Sequence, residues 1–149
     1  MNKKSNKSAA HRRVRNDHAT ETAEDYVEAI ADILREQPQC RVKDLQKRFA
    51  VSHVTVNRIL TRLQREGLLV TIPWGPVSLT PSGKRLADKC RLRHETVFRL
   101  LVMLGIDPAT AEIDAEGIEH HVSPSTLKRF REIIDRGTSL LSGPSQEKK

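Results

Sequence analysis

The stretch RVKDLQKRFAVSHVTVNRILTRLQREGLLV, residues 41–70, constrains this chain more than any other. Its large apolar residues fall in two short blocks at helical spacing: Leu45 and Phe49, then Val56, Ile59, Leu60 and Leu63. Between the blocks only Ala50 and Val51 remain to turn the chain before Ser52, a good N-cap. Two helices, Val42 to Phe49 and a second from Ser52 to a closing Gly67, joined so tightly form a helix-turn-helix. GLLVTIPWGPVSLT then reads as strand, Pro-Trp-Gly-Pro turn and strand. A hairpin that small does not stand alone and is expected as a wing packed on the helices.

The flanks are helical. From Glu21, Ala23, Val27, Ile30 and Leu34 recur at three and four until Pro38 stops the pattern. Thr80 and Pro81 make a cap and first-turn pair for a long helix carrying Leu86, Cys90, His94, Val97 and Leu101, which runs to Gly105. Further helices are expected from Pro108 to His121 and, capped by Ser123, from Pro124 to about Arg136. The fold class is therefore mainly α: an N-terminal winged helix-turn-helix with a small β-hairpin wing, followed by an all-helical domain. Residues 21–83 form the first domain and 84–141 the second. The polar opening, residues 1–20, is expected as a disordered basic arm because it has almost no large side chain to bury. Residues 142–149, SGPSQEKK with the preceding Leu141 excluded, read as a flexible tail.

Charge is segregated along the chain. The net charge is +7, yet residues 21–39 carry six carboxylates against one Arg, while residues 40–99 carry thirteen Lys and Arg against four acids. A basic middle points to a polyanion, and acidic flanks point to a cation. Cys40 and Cys90 have no paired spacing, which fits a reduced cytoplasmic compartment. The longest apolar run, LLVMLGI, is too short to cross a bilayer, so no membrane partner is expected.

Within the helix-turn-helix, Ser52, His53, Val54, Thr55, Asn57, Arg58 and Arg62 are not needed for the core. Asn57 and Arg58 can hydrogen-bond base edges, and the Val54 and Thr55 methyls suit thymine. Lys43, Lys47 and Arg48, with the run Lys84, Arg85, Lys89, Arg91 and Arg93, are placed to meet phosphates. The tight helix pair, the wing and the basic charge agree on double-stranded DNA as partner, against the plainer alternative of a solvated basic face.

A second chemistry gathers in DAEGIEHH, where Glu116, Glu119 and His120 stand at i, i+3 and i+4 and so share one helical face. Asp25 and Glu28 repeat that spacing on the first helix, and His94 lies on the apolar side of the long one. Singly, each has an ordinary reading as a solvated acidic face or a core histidine. Together they offer four carboxylates and two imidazoles, enough for one or two divalent ions. Oxygen-rich ligation without thiolate suits Mn²⁺, with Fe²⁺ the other candidate.

EDYVEAI at 24–30, RHETV at 93–97 and DAEGIEHHVS at 114–123, around a winged helix, resemble the manganese transport regulator (MntR) branch of the diphtheria toxin repressor family. The resemblance spans roughly residues 21–137. It implies metal ligation by Asp25, Glu28, His94, Glu116, Glu119 and His120, with His121 behind the ligand face. Iron-sensing relatives have Met and Cys where this chain has Asp25 and Glu116, which favours manganese. The resemblance further implies a homodimer held by the helices after the wing, a palindromic operator, and Mn²⁺-activated repression of manganese uptake genes. A second metal site that depends on the additional C-terminal domain of longer family members is not expected. An iron- or mixed-metal repressor, a metal-independent winged-helix protein and a two-metal hydrolase are the competing readings, the last without an identifiable substrate pocket or separate acid and base.

Overall fold

A computed structural model describes the backbone of residues 3–141 and the side chains of residues 18–137. The expected tail, 142–149, lies outside them. The elements in order are α1 (Lys3–Glu36), α2 (Val42–Phe49), α3 (His53–Arg65), β1 (Leu69–Thr71), β2 (Val77–Leu79), α4 (Pro81–Met103), α5 (Pro108–Ile118), a 3₁₀ turn (Glu119–His121) and α6 (Pro124–Leu141). The chain divides into two compact units, Met1–Lys89 and Cys90–Lys149.

The first unit is the winged helix. α1 buries Ala23, Tyr26, Val27, Ala29 and Ile30 in a core shared with Leu45 of α2 and Val56, Leu60 and Leu63 of α3. Tyr26 stacks on Phe49 with ring centroids 4.3 Å apart. The turn between α2 and α3 is as short as the sequence implies, because Ala50 takes a left-handed conformation (φ 52°) and Ser52 Oγ accepts from the Thr55 amide at 3.2 Å. At the far end of α3, Gly67 (φ 73°) donates to Gln64 O and Leu68 donates to Leu63 O, both at 3.0 Å. That paired closure turns the chain straight into the wing.

The wing pairs Leu69 with Leu79, Val70 with Ser78 and Thr71 with Val77, antiparallel. Leu69, Val77 and Leu79 face the core while Val70 and Ser78 face out, the alternation a half-buried strand requires. Two bonds seat it: Val77 N–H donates to Cys40 O at 2.7 Å, and Thr71 Oγ1 donates to Gln64 Oε1 at 2.6 Å. Thr80 caps α4 by accepting from Gly83 N–H, and its hydroxyl donates to Gly67 O at 2.6 Å.

The second unit gathers Val97, Ala115 and Leu127 into a small core with Phe98, Leu101, Val122 and Phe130 packed on it. α4 ends at Gly105 (φ 90°), whose amide donates to Val102 O while Ile106 donates to Leu101 O. Asp107 caps α5 ahead of Pro108, and Ser123 caps α6 ahead of Pro124. Gly137 lets α6 approach α4, since a Cβ there would stand 2.6 Å from Met103 Sδ.

The described elements depart in part from the bounds read from the sequence. Residues 3–20, expected as a disordered arm, continue α1 as helical backbone. Nucleation is the costly step in helix formation, and the packed turns from Ala23 onward supply it to a stretch free of Gly and Pro. The units meet between Lys89 and Cys90 rather than at 83/84, because α4 is one helix whose Leu86 and Ala87 still belong to the first core. The helical run from Pro108 does reach His121, as α5 to Ile118 and then the 3₁₀ turn ahead of Ser123 and Pro124. α6 runs to Leu141, past Arg136 and through Gly137, and the next proline in the sequence is Pro144.

Candidate metal centre and nucleic-acid interface

α3 presents its first turns to solvent. Val54 is 76% exposed, and Ser52, His53 and Arg58 are exposed with it. Asn57 is half-buried, its Nδ2 2.8 Å from His53 Nδ1, so these two candidate base-reading residues hold each other's orientation. Thr55 shares the Ser52 cap, with the two hydroxyls 3.0 Å apart. Arg62 is turned elsewhere: it donates to the Ala19 carbonyl at 2.9 Å and its Nε lies 3.4 Å from Glu66 Oε1, fastening α3 to α1. Arg48 is likewise drawn toward Asp32 of α1, at 3.6 Å. Lys43, Lys47, Lys84, Arg85, Lys89 and Arg91 are exposed as a phosphate-contacting surface requires, but Arg93 is not.

Arg93 belongs to the other chemistry. It is buried on α4, with one guanidinium nitrogen 3.6 Å from Glu119 Oε1 and 3.5 Å from His120 Nδ1. The neighbouring His94 brings Nδ1 to 3.0 Å from Glu119 Oε2 and 3.6 Å from Glu116 Oε2, while its Nε2 lies 3.3 Å from Glu112 Oε1. His120 Nε2 is 3.8 Å from Glu119 Oε1. His94, Glu116, Glu119 and His120, four of the six expected ligands, are thus brought together within the second unit, with His94 beside both glutamates and His120 beside Glu119. Glu119 is only 1% exposed, and its Oε2 has no partner in hydrogen-bonding alignment. Glu119 continues the line of α5, its helical amide donating to Ala115 O, so it falls on the face already buried through Ala111 and Ala115.

Glu112 and Arg93 went unnoticed as members of this cluster. Glu112 had a signal, standing one turn before Glu116; Arg93 had none beyond its adjacency to His94. Asp25 and Glu28 are half-buried neighbours on α1, in the first unit. Among the described residues, no three His, Cys, Asp or Glu side chains are arranged as a ready coordination shell.

The charges around His94 are unequal. The Glu119 carboxylate beside it is the main cause lifting the His94 pKa to about 9; burial opposes this, and Glu112 and Glu116 add to the lift. Three carboxylates, Glu112, Glu116 and Glu119, thus stand around the one imidazole, with Arg93 the guanidinium beside them. A carboxylate oxygen buried without an aligned donor, beside an imidazole nitrogen and a second carboxylate, fits a hard divalent ion of the manganese or iron kind. Neither cysteine enters the donor set, both being buried thiols.

Residues 18–75 match the family model described as iron dependent repressor, N-terminal DNA binding domain, and residues 80–139 match iron dependent repressor, metal binding and dimerisation domain. The chain belongs to the iron dependent repressor family. It is 47% identical over 120 residues to the transcriptional regulator MntR of Escherichia coli O6:H1, covering 80% of this chain and 77% of that protein. To its Salmonella typhimurium counterpart it is 45% identical over 129 residues, covering 86% and 82%. The HTH-type transcriptional regulator MntR of Bacillus pumilus is 30% identical over 115 residues, covering 77% and 80%. A solved manganese-dependent transcriptional repressor in complex with manganese superposes with a TM-score of 0.69 at 30% identity, over 76% of this chain and 52% of that one. The IdeR structure from T. acidophilum gives 0.68 at 26% identity, over 75% and 53%. The chain spans about half the length of these two solved proteins. The family resemblance drawn from EDYVE and AEGIEHH, its MntR branch, and the winged-helix fold class are all borne out. A family of DNA-binding regulators also sets the hydrolase reading aside. Among the described residues no helix is long and apolar enough to cross a membrane.

Proposed function

We propose that this chain is a manganese-activated, cytoplasmic transcriptional repressor of manganese uptake genes that binds a palindromic operator as a homodimer. The observation that carries the reading is the buried Glu119 carboxylate with His94 and His120 against it, and Glu116 beside the same His94 nitrogen. Asp25 and Glu28 join that donor set on the strength of the family resemblance. Arg93 lies against one oxygen of Glu119 and His94 Nδ1 against the other, while His94 Nε2 faces Glu112. A bound divalent cation supplies the charge that lets Glu116 and Glu119 stay close without repulsion. In a dimer, ordering these residues narrows the range of separations open to the two copies of α3, whose Val54, Thr55, Asn57 and Arg58 read the groove. Exposed Leu104, Ile113 and Ile133 give the second unit apolar surface to bury against its partner.

Labelled duplexes selected from a random pool by the Mn²⁺-loaded protein supply the test. Fluorescence anisotropy with Mn²⁺, Fe²⁺ and Zn²⁺ added separately should give the tightest complex with Mn²⁺, and reciprocally a higher Mn²⁺ affinity when DNA is present. Equal DNA affinity with and without metal would sink the proposal. A tighter complex with Fe²⁺ would move the chain to the iron-sensing reading, and retained Mn²⁺ preference in Asp25→Met would undercut the assignment of selectivity to that residue.

A further inference from the structure

Trp74 is the single tryptophan of the chain, and it stands at the tip of the wing with 96% of its surface exposed. Its backbone is left-handed (φ 61°), a conformation bulky residues rarely adopt and glycine adopts freely. The turn that holds it is closed by Gly75 N–H donating to Ile72 O at 2.8 Å and is flanked by Pro73 and Pro76. A large aromatic ring kept in water on a strained backbone contributes nothing to the core, so its use lies outside the folded monomer.

The surface beside it identifies the occupant. A groove of about 490 Å³ runs between α2, α3 and the wing, with Arg41 and Lys43 on one side, His53 and Asn57 on another, and Pro73 and Trp74 on the wing side. No carboxylate lines it. Cations and hydrogen-bond donors on two walls suit a phosphate backbone, and His53 and Asn57 make the groove continuous with the base-reading face of α3. The wing tip, through Pro73 and Trp74, lines the same groove as His53 and Asn57 of α3.

We infer that Trp74 is a DNA-contacting residue: one strand of the duplex seats in the groove between α3 and the wing, and the indole packs against sugars and base edges of the neighbouring minor groove as an apolar wedge. Apolar side chains used this way contribute affinity that does not depend on counterion release. The assignment rests on the DNA-binding reading above and adds to it a contact outside the helix-turn-helix.

Because no other tryptophan is present, emission excited at the red edge, beyond the absorption of Tyr26, reports this residue alone. The full-length, Mn²⁺-loaded protein is titrated with its selected duplex while anisotropy of the labelled DNA records binding. Expected are quenching of the emission in step with the anisotropy, reduced acrylamide access in the complex, and roughly tenfold weaker binding by Trp74→Ala with an unchanged salt slope. Trp74→Phe should recover most of that affinity, whereas Lys43→Ala should lower the salt slope by about one. The side chain is exposed, so Trp74→Ala should keep the wild-type melting profile. A rise in anisotropy with unaltered emission, or full affinity in Trp74→Ala, overturns the inference while the regulator reading stands. Absence of any complex at saturating Mn²⁺ overturns both.

Discussion

Nδ1 of His94 and Oε2 of Glu119 lie 3.0 Å apart, one on α4 and the other on the 3₁₀ turn that closes α5. The carboxylate is almost fully buried, so the contact is the electrostatic centre of the candidate metal site rather than a surface ion pair. Glu119→Gln keeps the shape and removes the charge. In that variant Mn²⁺ affinity measured by calorimetry should fall by about two orders of magnitude, on the scale of losing one charged ligand contact. DNA binding should then stop responding to Mn²⁺ while a circular dichroism melt still shows a folded protein. An unchanged Mn²⁺ affinity would remove Glu119 from the ligand set.

Arg62 separates two roles that its sequence position leaves mixed. On the exposed pattern of α3 it counts as a phosphate contact, yet its guanidinium donates to the Ala19 carbonyl across 43 residues of chain. Arg62→Ala should therefore cost about 1–2 kcal/mol of stability through a lost hydrogen bond from a charged donor. Hydrogen exchange around Ala19 to Ala23 should quicken, and the salt slope of DNA binding should stay as it was. Arg58→Ala should do the reverse, weakening DNA binding without moving the melting temperature.

These two residues also mark the boundary of what the sequence makes legible. Caps and turns at Ser52, Gly67, Thr80, Gly105 and Ser123 are readable because each is decided within a few residues by local sterics and hydrogen bonding. The donors Glu116, Glu119 and His120 are readable because helical spacing puts them on a common face. Arg93 and Arg62 are not, since whether a basic side chain meets phosphate or a buried carboxylate depends on which helix lies across from it. The length of α1 escaped for a different reason. Polar composition argues against burial, but a helix already nucleated by a packed segment needs no burial to extend.

Gly83 marks the tightest approach in the winged helix. A Cβ placed there would stand 1.9 Å from the Leu68 carbonyl oxygen, and that oxygen also accepts from Thr80 N–H at 3.1 Å, so it cannot retreat without breaking the seat of the wing. Gly83→Ala should destabilise the protein by about 2–3 kcal/mol through overpacking against backbone. Urea unfolding would register it as a lower midpoint, accompanied by weaker DNA binding as the wing shifts. Wild-type stability in this variant would mean that α4 can slide away from β1 at little cost.

Cys40 is expected to be chemically silent in the folded state. Burial, with the nearby Asp44 carboxylate adding to it, pushes the thiol up to about 12. Only the thiolate reacts, so at pH 8 to 9 native Cys40 should resist alkylation and become labelled only on unfolding, as read by peptide mass spectrometry with and without denaturant. The sign of the pH effect follows from the raised value. The thiol's contribution to stability is complete below the ordinary cysteine range and is lost as pH rises toward 12, because only the unfolded chain ionises in that window. Rapid labelling of Cys40 in the native protein at pH 8 would mean that the backbone bridge from Cys40 to Val77 opens readily, leaving the wing without one of its two anchoring bonds.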